Sequence, residues 1–143
     1  MQRHKSQVQD LMTENPFVVE PETSLFDAYT LMFEKEIRRL PVVHDQKLAG
    51  IITLSDIQRV LPGVFAETDT DTALEVTPLT VGDVMTADPV TVAPEDTLQD
   101  AAEQMLENQV SGLPVVQNDR VIGIITESDI FKLIVASWSE KVR

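Results

Sequence analysis

GIITLSDI at residues 50–57 returns, with a single residue changed, as GIITESDI at residues 123–130. Working outward from this pair, LPVV at 40–43 falls over LPVV at 113–116, and VQDLMTENPFVVEPETSL at 8–25 falls over VGDVMTADPVTVAPEDTL at 81–98 without a gap. About 54 aligned positions carry roughly two dozen identities, which makes the chain an internal duplication. Between the copies, residues 61–80 (LPGVFAETDTDTALEVTPLT) are rich in Thr, Asp and Glu and read as a solvated connector. The expected organisation is a first copy over 1–61, an acidic connector over 62–76 and a second copy over 77–143.

Each copy repeats one order of elements. Thr23 and Ser24, or Asp96 and Thr97, stand where a helix N-cap is expected. Leu25, Ala28, Tyr29, Met32 and Phe33, and then Leu98, Ala101, Ala102, Met105 and Leu106, follow at i, i+3, i+4, i+7 and i+8, one apolar stripe per helix. The β-branched runs Leu40–Val43 and Leu48–Thr53 flank a polar turn and predict paired strands, as do Leu113–Val116 and Val121–Thr126. A second helix is expected from Ser55 or Ser128, carrying Ile57, Val60 and Leu61, or Ile130, Leu133 and Ile134. With short strands at Phe17–Val19 and Val90–Val92, the unit is β-α-β-β-α and the class α+β. One unit of about 55 residues buries little surface by itself, so two sheets packed together with pseudo-two-fold symmetry are expected, with function at the seam.

Composition narrows the partners. The 143 residues hold 11 Lys and Arg against 24 Asp and Glu, a formal charge of −13, so the mean surface potential repels nucleic acid and anionic membranes. No stretch approaches the length of apolar sequence that spans a bilayer, and the polar start MQRHKSQVQD lacks the apolar core of a signal peptide. The absence of cysteine excludes disulfides and thiolate metal sites and fits a reducing, cytoplasmic compartment.

The recurrent polar cluster is G-I-I-T-x-S-D, which places Thr53 and Asp56, and Thr126 and Asp129, where a strand gives way to a helix. Two readings stand side by side. Such a turn can offer amide donors and a hydroxyl to an anion, while a carboxylate three residues on accepts the vicinal hydroxyls of a ribose. The same Thr-x-x-Asp spacing also makes a capping box, with no ligand involved.

The motifs V-x-D-[LV]-M-T at 8–13 and 81–86, L-P-V-V, and G-I-I-T-x-S-D-I, present in both halves, resemble tandem cystathionine β-synthase (CBS) domains, the pair called a Bateman module. The resemblance spans nearly the whole chain. It implies CBS repeats packed sheet to sheet, association of modules into a homodimer, and clefts between repeats that bind adenosine nucleotides (AMP, ADP or ATP) or adenosyl compounds such as S-adenosylmethionine. Carried over by position, Asp56 and Asp129 would hold ribose hydroxyls, and Thr53 and Thr126 ribose or phosphate. The two residues before L-P-V-V are Arg38 and Arg39 in the first copy but Ser111 and Gly112 in the second, which predicts unequal sites, since only a guanidinium pair grips phosphate by charge. Thr80 is the expected polar contact in the segment before the second V-x-D. A phosphate-rich ligand is expected to bring Mg²⁺. The implied role is a regulatory module without enzymatic activity, signalling to a separate protein; the alternative is a ligand-free dimerisation or scaffold protein.

Other candidates are weaker. Arg59 and Lys132, at equivalent positions of the second helix, could reach a phosphate chain or a neighbouring subunit, but the favoured reading is exposed helix charges. The run Glu67–Asp71 lacks the glycine and terminal glutamate of a calcium loop. His44 falls in a turn, no nucleophile motif accompanies it, and glycine-rich phosphate fingerprints are absent. Trp138 is read as capping the core or meeting a partner, with a packed terminal helix the favoured reading.

Overall fold

A computed structural model describes residues 6–60 and 79–142, so the connector 62–76, together with His4, Lys5, Leu61 and the Glu67–Asp71 run, lies outside the described residues. Along the chain run α1 (Val8–Leu11), β1 (Thr13–Glu14), α2 (Leu25–Lys35), β2 (Arg39–His44), β3 (Lys47–Thr53) and α3 (Leu54–Val60). They are followed by α4 (Val81–Val84), β4 (Thr86–Ala87), α5 (Leu98–Asn108), β5 (Gly112–Gln117), β6 (Arg120–Thr126) and α6 (Glu127–Val142). The class is α+β, with two antiparallel three-stranded sheets in the orders β2-β3-β4 and β1-β6-β5.

The chain forms two compact units. Of the described residues, one unit takes 17–60 and 79–88, the other 6–16 and 89–142. The sequence copies and these units divide the chain differently, because the V-x-D-[LV]-M-T segment preceding each copy folds with the other copy. In the unit built on the first copy, Val81 N–H donates to Thr23 O (2.7 Å), Gly82 N–H to Pro21 O (2.8 Å) and Leu25 N–H to Leu79 O (3.1 Å), after which Thr86–Ala87 pairs with Gly50–Ile51. The other unit repeats the pattern. Val8 N–H donates to Asp96 O (2.8 Å), Leu98 N–H donates to Ser6 O (3.1 Å), and Thr13–Glu14 pairs with Gly123–Ile124.

Both cores are aliphatic. One gathers Val19, Leu25, Ala28, Met32, Leu40, Val42, Ile52, Ile57 and Val81; the other Val8, Val92, Leu98, Ala101, Met105, Leu113, Val115 and Ile125. The helices begin as their caps predict: Ser24 Oγ accepts Asp27 N–H at 3.0 Å, and Thr97 Oγ1 accepts Asp100 N–H at 3.0 Å. Their apolar stripes are narrower than the periodicity suggested. Leu25, Ala28 and Met32 are buried, as are Leu98, Ala101 and Met105, whereas Phe33 and Leu106 are 74% and 79% exposed. At ~100° per residue the i+8 position lies about 80° from position i, on the side away from i+3 and i+7, which takes it off the core.

The hairpins close through two residues, Asp45-Gln46 and Asn118-Asp119, all four at positive φ, the geometry that matches strand twist in a tight hairpin. The strands expected at Phe17–Val19 and Val90–Val92 reduce to single parallel bridges, Val19 to Val42 and Val92 to Val115. Prolines on both sides (16 and 21, 89 and 94) remove the donors that would extend a ladder there. Trp138 is 61% exposed on α6, so the terminal helix is present but this side chain does not cap the core.

Candidate functional site

The Gly-Ile-Ile-Thr run ends a central strand, and its glycine is fixed by the strand beside it. A Cβ on Gly50 would stand 2.6 Å from Thr86 O, and one on Gly123 would stand 2.9 Å from Thr13 O, so the edge strands approach closely enough to require glycine. The glycine therefore seats the strand whose last residue begins the corner.

In the first-copy corner, Thr53 ends β3 directly opposite Arg39 in the ladder, and Leu54 N–H donates to Arg38 O at 2.7 Å. Thr53 N–H donates to Asp56 Oδ2 (3.0 Å), and Asp56 N–H returns to Thr53 Oγ1 (3.1 Å). Arg59 Nη2 lies 3.4 Å from Asp56 Oδ1; the Asp56 side chain is 16% exposed and that of Arg59 70%. In the second-copy corner, Thr126 stands opposite Gly112 and Glu127 N–H donates to Ser111 O (3.0 Å). Both Thr126 N–H (2.9 Å) and Thr126 Oγ1–H (3.2 Å) donate to Asp129 Oδ2.

The ladder thus brings Arg38, Arg39, Thr53 and Asp56 together in one unit, and Ser111, Gly112, Thr126 and Asp129 in the other. Arg38 is exposed, Arg39, Ser111 and both Thr-Asp pairs are half-buried, and Gly112 is buried. The expectation of free amides at the turn is narrowed: those of Thr53, Leu54, Asp56, Thr126 and Glu127 have internal partners. The reciprocal capping box is present at Thr53 and Asp56, whereas at the second corner Asp129 accepts from both the amide and the hydroxyl of Thr126. Either arrangement leaves chemistry available, since a carboxylate offers about four lone-pair sites and the amide bond engages one oxygen while fixing the rotamer. A carboxylate held through one oxygen keeps acceptor sites on the other, Oδ1, which at Asp56 meets Arg59 Nη2, and such an oxygen suits a vicinal diol.

Thr80 caps α4, which packs against α3, and so belongs to the unit of the first-copy corner. Its N–H (2.9 Å) and Oγ1–H (3.0 Å) both donate to Asp83 Oδ2. These bonds, the backbone one first, hold the Asp83 carboxyl below its ordinary range against a small opposing effect of desolvation. Sequence reasoning passed over Asp83, although its Thr-x-x-Asp spacing is the same signal as that of Thr53 and Asp56.

The CBS domain family model matches residues 8–63 and 81–136. A homoserine O-acetyltransferase from Methanohalobium evestigatum is 37% identical over 129 residues, covering 89% of this chain and 24% of that enzyme. The chain thus spans about a quarter of that relative's length. Among solved structures, the CBS domain pair of MJ0100 in complex with 5′-methylthioadenosine and S-adenosyl-L-methionine superposes with a TM-score of 0.79 at 27% identity, covering 94% of this chain and 99% of that one. CBSX2 from Arabidopsis thaliana in complex with AMP gives 0.77 at 32% identity, covering 92% and 97%. No helix among the described residues is long and apolar enough to cross a membrane.

Proposed function

The chain belongs to the CBS domain family, once in each copy, and from that premise we propose that it is a regulatory module binding adenosine nucleotides or adenosyl compounds at its two Thr-x-x-Asp corners. The observation that carries this is the half-buried carboxylate at each corner, held by a threonine amide beside the residues that precede Leu-Pro-Val-Val. Related pairs bound to AMP and to S-adenosylmethionine support the ligand class. Asp56 and Asp129 would accept ribose hydroxyls, with Thr53, Thr126 and Thr80 as polar neighbours.

The corners differ in what they offer the rest of the ligand. Arg38 and Arg39 suit a phosphate, and Mg²⁺ would enter with a longer phosphate chain as part of the ligand. Ser111 and Gly112 add no charge and suit an uncharged tail. Occupancy becomes a signal only through differential affinity for two states of the module, read by a separate protein. A second copy of the chain is the expected assembly partner, supported by the outward Phe26 and Phe33 of α2 and Phe131, Val135 and Trp138 of α6. A cytoplasmic setting fits a chain without cysteine.

The test is calorimetric titration of AMP, ADP, ATP and S-adenosylmethionine into the wild type, Asp56→Asn, Asp129→Asn and Arg38→Ala/Arg39→Ala. Asparagine keeps an acceptor for the threonine amide, so it separates ligand loss from cap loss. Losing a charge-assisted contact should weaken binding by about 1.5–3 kcal/mol, roughly ten- to a hundredfold. The ligand-free scaffold reading is favoured by the internal bonding of both aspartates, and the absence of heat from every ligand would establish it over nucleotide binding.

A further inference from the structure

Three of the chain's six arginines, Arg38, Arg39 and Arg59, belong to the first-copy corner, while Ser111, Gly112 and Lys132 hold the equivalent places in the second. Arg59 reaches the ribose-accepting carboxylate itself: its Nη2 lies 3.4 Å from Asp56 Oδ1, the oxygen that the Thr53 amide leaves open. A guanidinium at 70% exposure, at the long end of hydrogen-bond distance, is held loosely and can leave without disturbing the fold.

We propose that Arg59 selects the ligand of the first-copy corner: in the empty corner it occupies the Asp56 oxygen that a ribose diol requires, and it transfers to the ligand's phosphate when a nucleotide arrives. The proposal rests on the adenosine-ligand reading above. A nucleoside displaces the guanidinium and returns nothing to it. A nucleotide carries on the same ribose a phosphate that repays the displaced charge with charge-assisted bonds, which a planar, five-donor guanidinium makes well. In a chain of net charge −13, such a local exchange is how a cation is kept at an anion site before the anion comes.

The experiment titrates adenosine and AMP separately into the full chain carrying Asp129→Asn, so that the first-copy corner is read, with and without Arg59→Ala. Arg59→Ala should bind adenosine about two- to fivefold more tightly, because a competitor for Oδ1 is gone. It should bind AMP about tenfold more weakly, because the phosphate loses its partner. Opposite signs for two ligands are not produced by a general loss of structure, which weakens both. Arg59→Lys, charged but without the fork, should fall between, and Lys132→Ala should leave the AMP-to-adenosine ratio unchanged. Equal shifts for both ligands, or none, overturn the proposal while leaving adenosine binding intact. Heat from neither ligand in the parent chain removes the adenosine reading of the first-copy corner, and this proposal with it.

Discussion

Replacing Gly50 by alanine tests whether the Gly-Ile-Ile-Thr glycine serves the sheet. A Cβ there would meet Thr86 O at 2.6 Å, Met85 Sδ at 2.7 Å and Met85 Cγ at 3.1 Å. The methionine can swing aside, but the carbonyl belongs to a strand paired residue for residue with Gly50 and Ile51, so β4 must shift as a body. Forcing a methyl into such a contact costs about 1–3 kcal/mol, offset by about 0.4–1 kcal/mol from the smaller unfolded-state entropy of alanine. The net is about 1–2 kcal/mol. With an unfolding entropy of about 2.1 cal/mol/K per residue, this lowers the midpoint by roughly 3–7 °C for a chain of this length. Thermal and urea melts by circular dichroism would measure it, with Gly123→Ala as the equivalent in the other unit (2.9 Å to Thr13 O). Most of the penalty should persist in a Met85→Ala background, because the carbonyl remains. A Gly50→Ala protein with an unchanged or raised midpoint would refute the argument that close strand approach dictates this residue.

Gln46 and Asp119 each hold the second place of a two-residue hairpin, at φ 68° and 67°. Changing either to glycine should stabilise by about 0.5–1 kcal/mol, read as a higher melting midpoint, since glycine meets no Cβ penalty there. Asp129→Ala strips the Thr126 amide of its acceptor in a half-buried corner and should destabilise by about 1 kcal/mol, whereas Asp129→Asn should recover most of that in the same melts. For Asp83 the folded pKa lies below the unfolded one, so its contribution is present above about pH 4 and is lost as the pH falls through the folded value. Asp83→Asn should therefore lower the midpoint at neutral pH and flatten its decline below about pH 4, as measured by melts across an acid series.

The duplication and the paired strands were legible because their signals are local: matched runs of letters and β-branched stretches bounded by turn residues. The caps at Ser24 and Thr97 were legible for the same reason, since a cap is satisfied within three residues. The third strand of each sheet was not. Met-Thr at 12–13 and 85–86 has no strand periodicity, and Thr13–Glu14 and Thr86–Ala87 pair with residues of the copy that they do not adjoin in the alignment. Tertiary placement, which spacing does not encode, decided those elements and gave Gly50 and Gly123 their role. Thr53-x-x-Asp56 and Thr126-x-x-Asp129 were visible as pairs, but their spacing fitted cap and ligand site alike. The structure adds the hydrogen bonds that hold each aspartate to its threonine and the ladder register that sets Arg39 and Gly112 across from them.

Because residues 6–16 and 89–142 make up one unit while 17–60 and 79–88, which lie between those two segments in sequence, build the other, the two units stand differently toward mechanical load. Tension applied to the flanks of residues 6 and 142 passes from β1 to β6 through the β1-β6-β5 sheet. The inserted unit, with its arginine-rich corner, feels no pull until that sheet yields. A tether or fusion joined at both flanks would therefore strain the Ser111-Gly112 corner first.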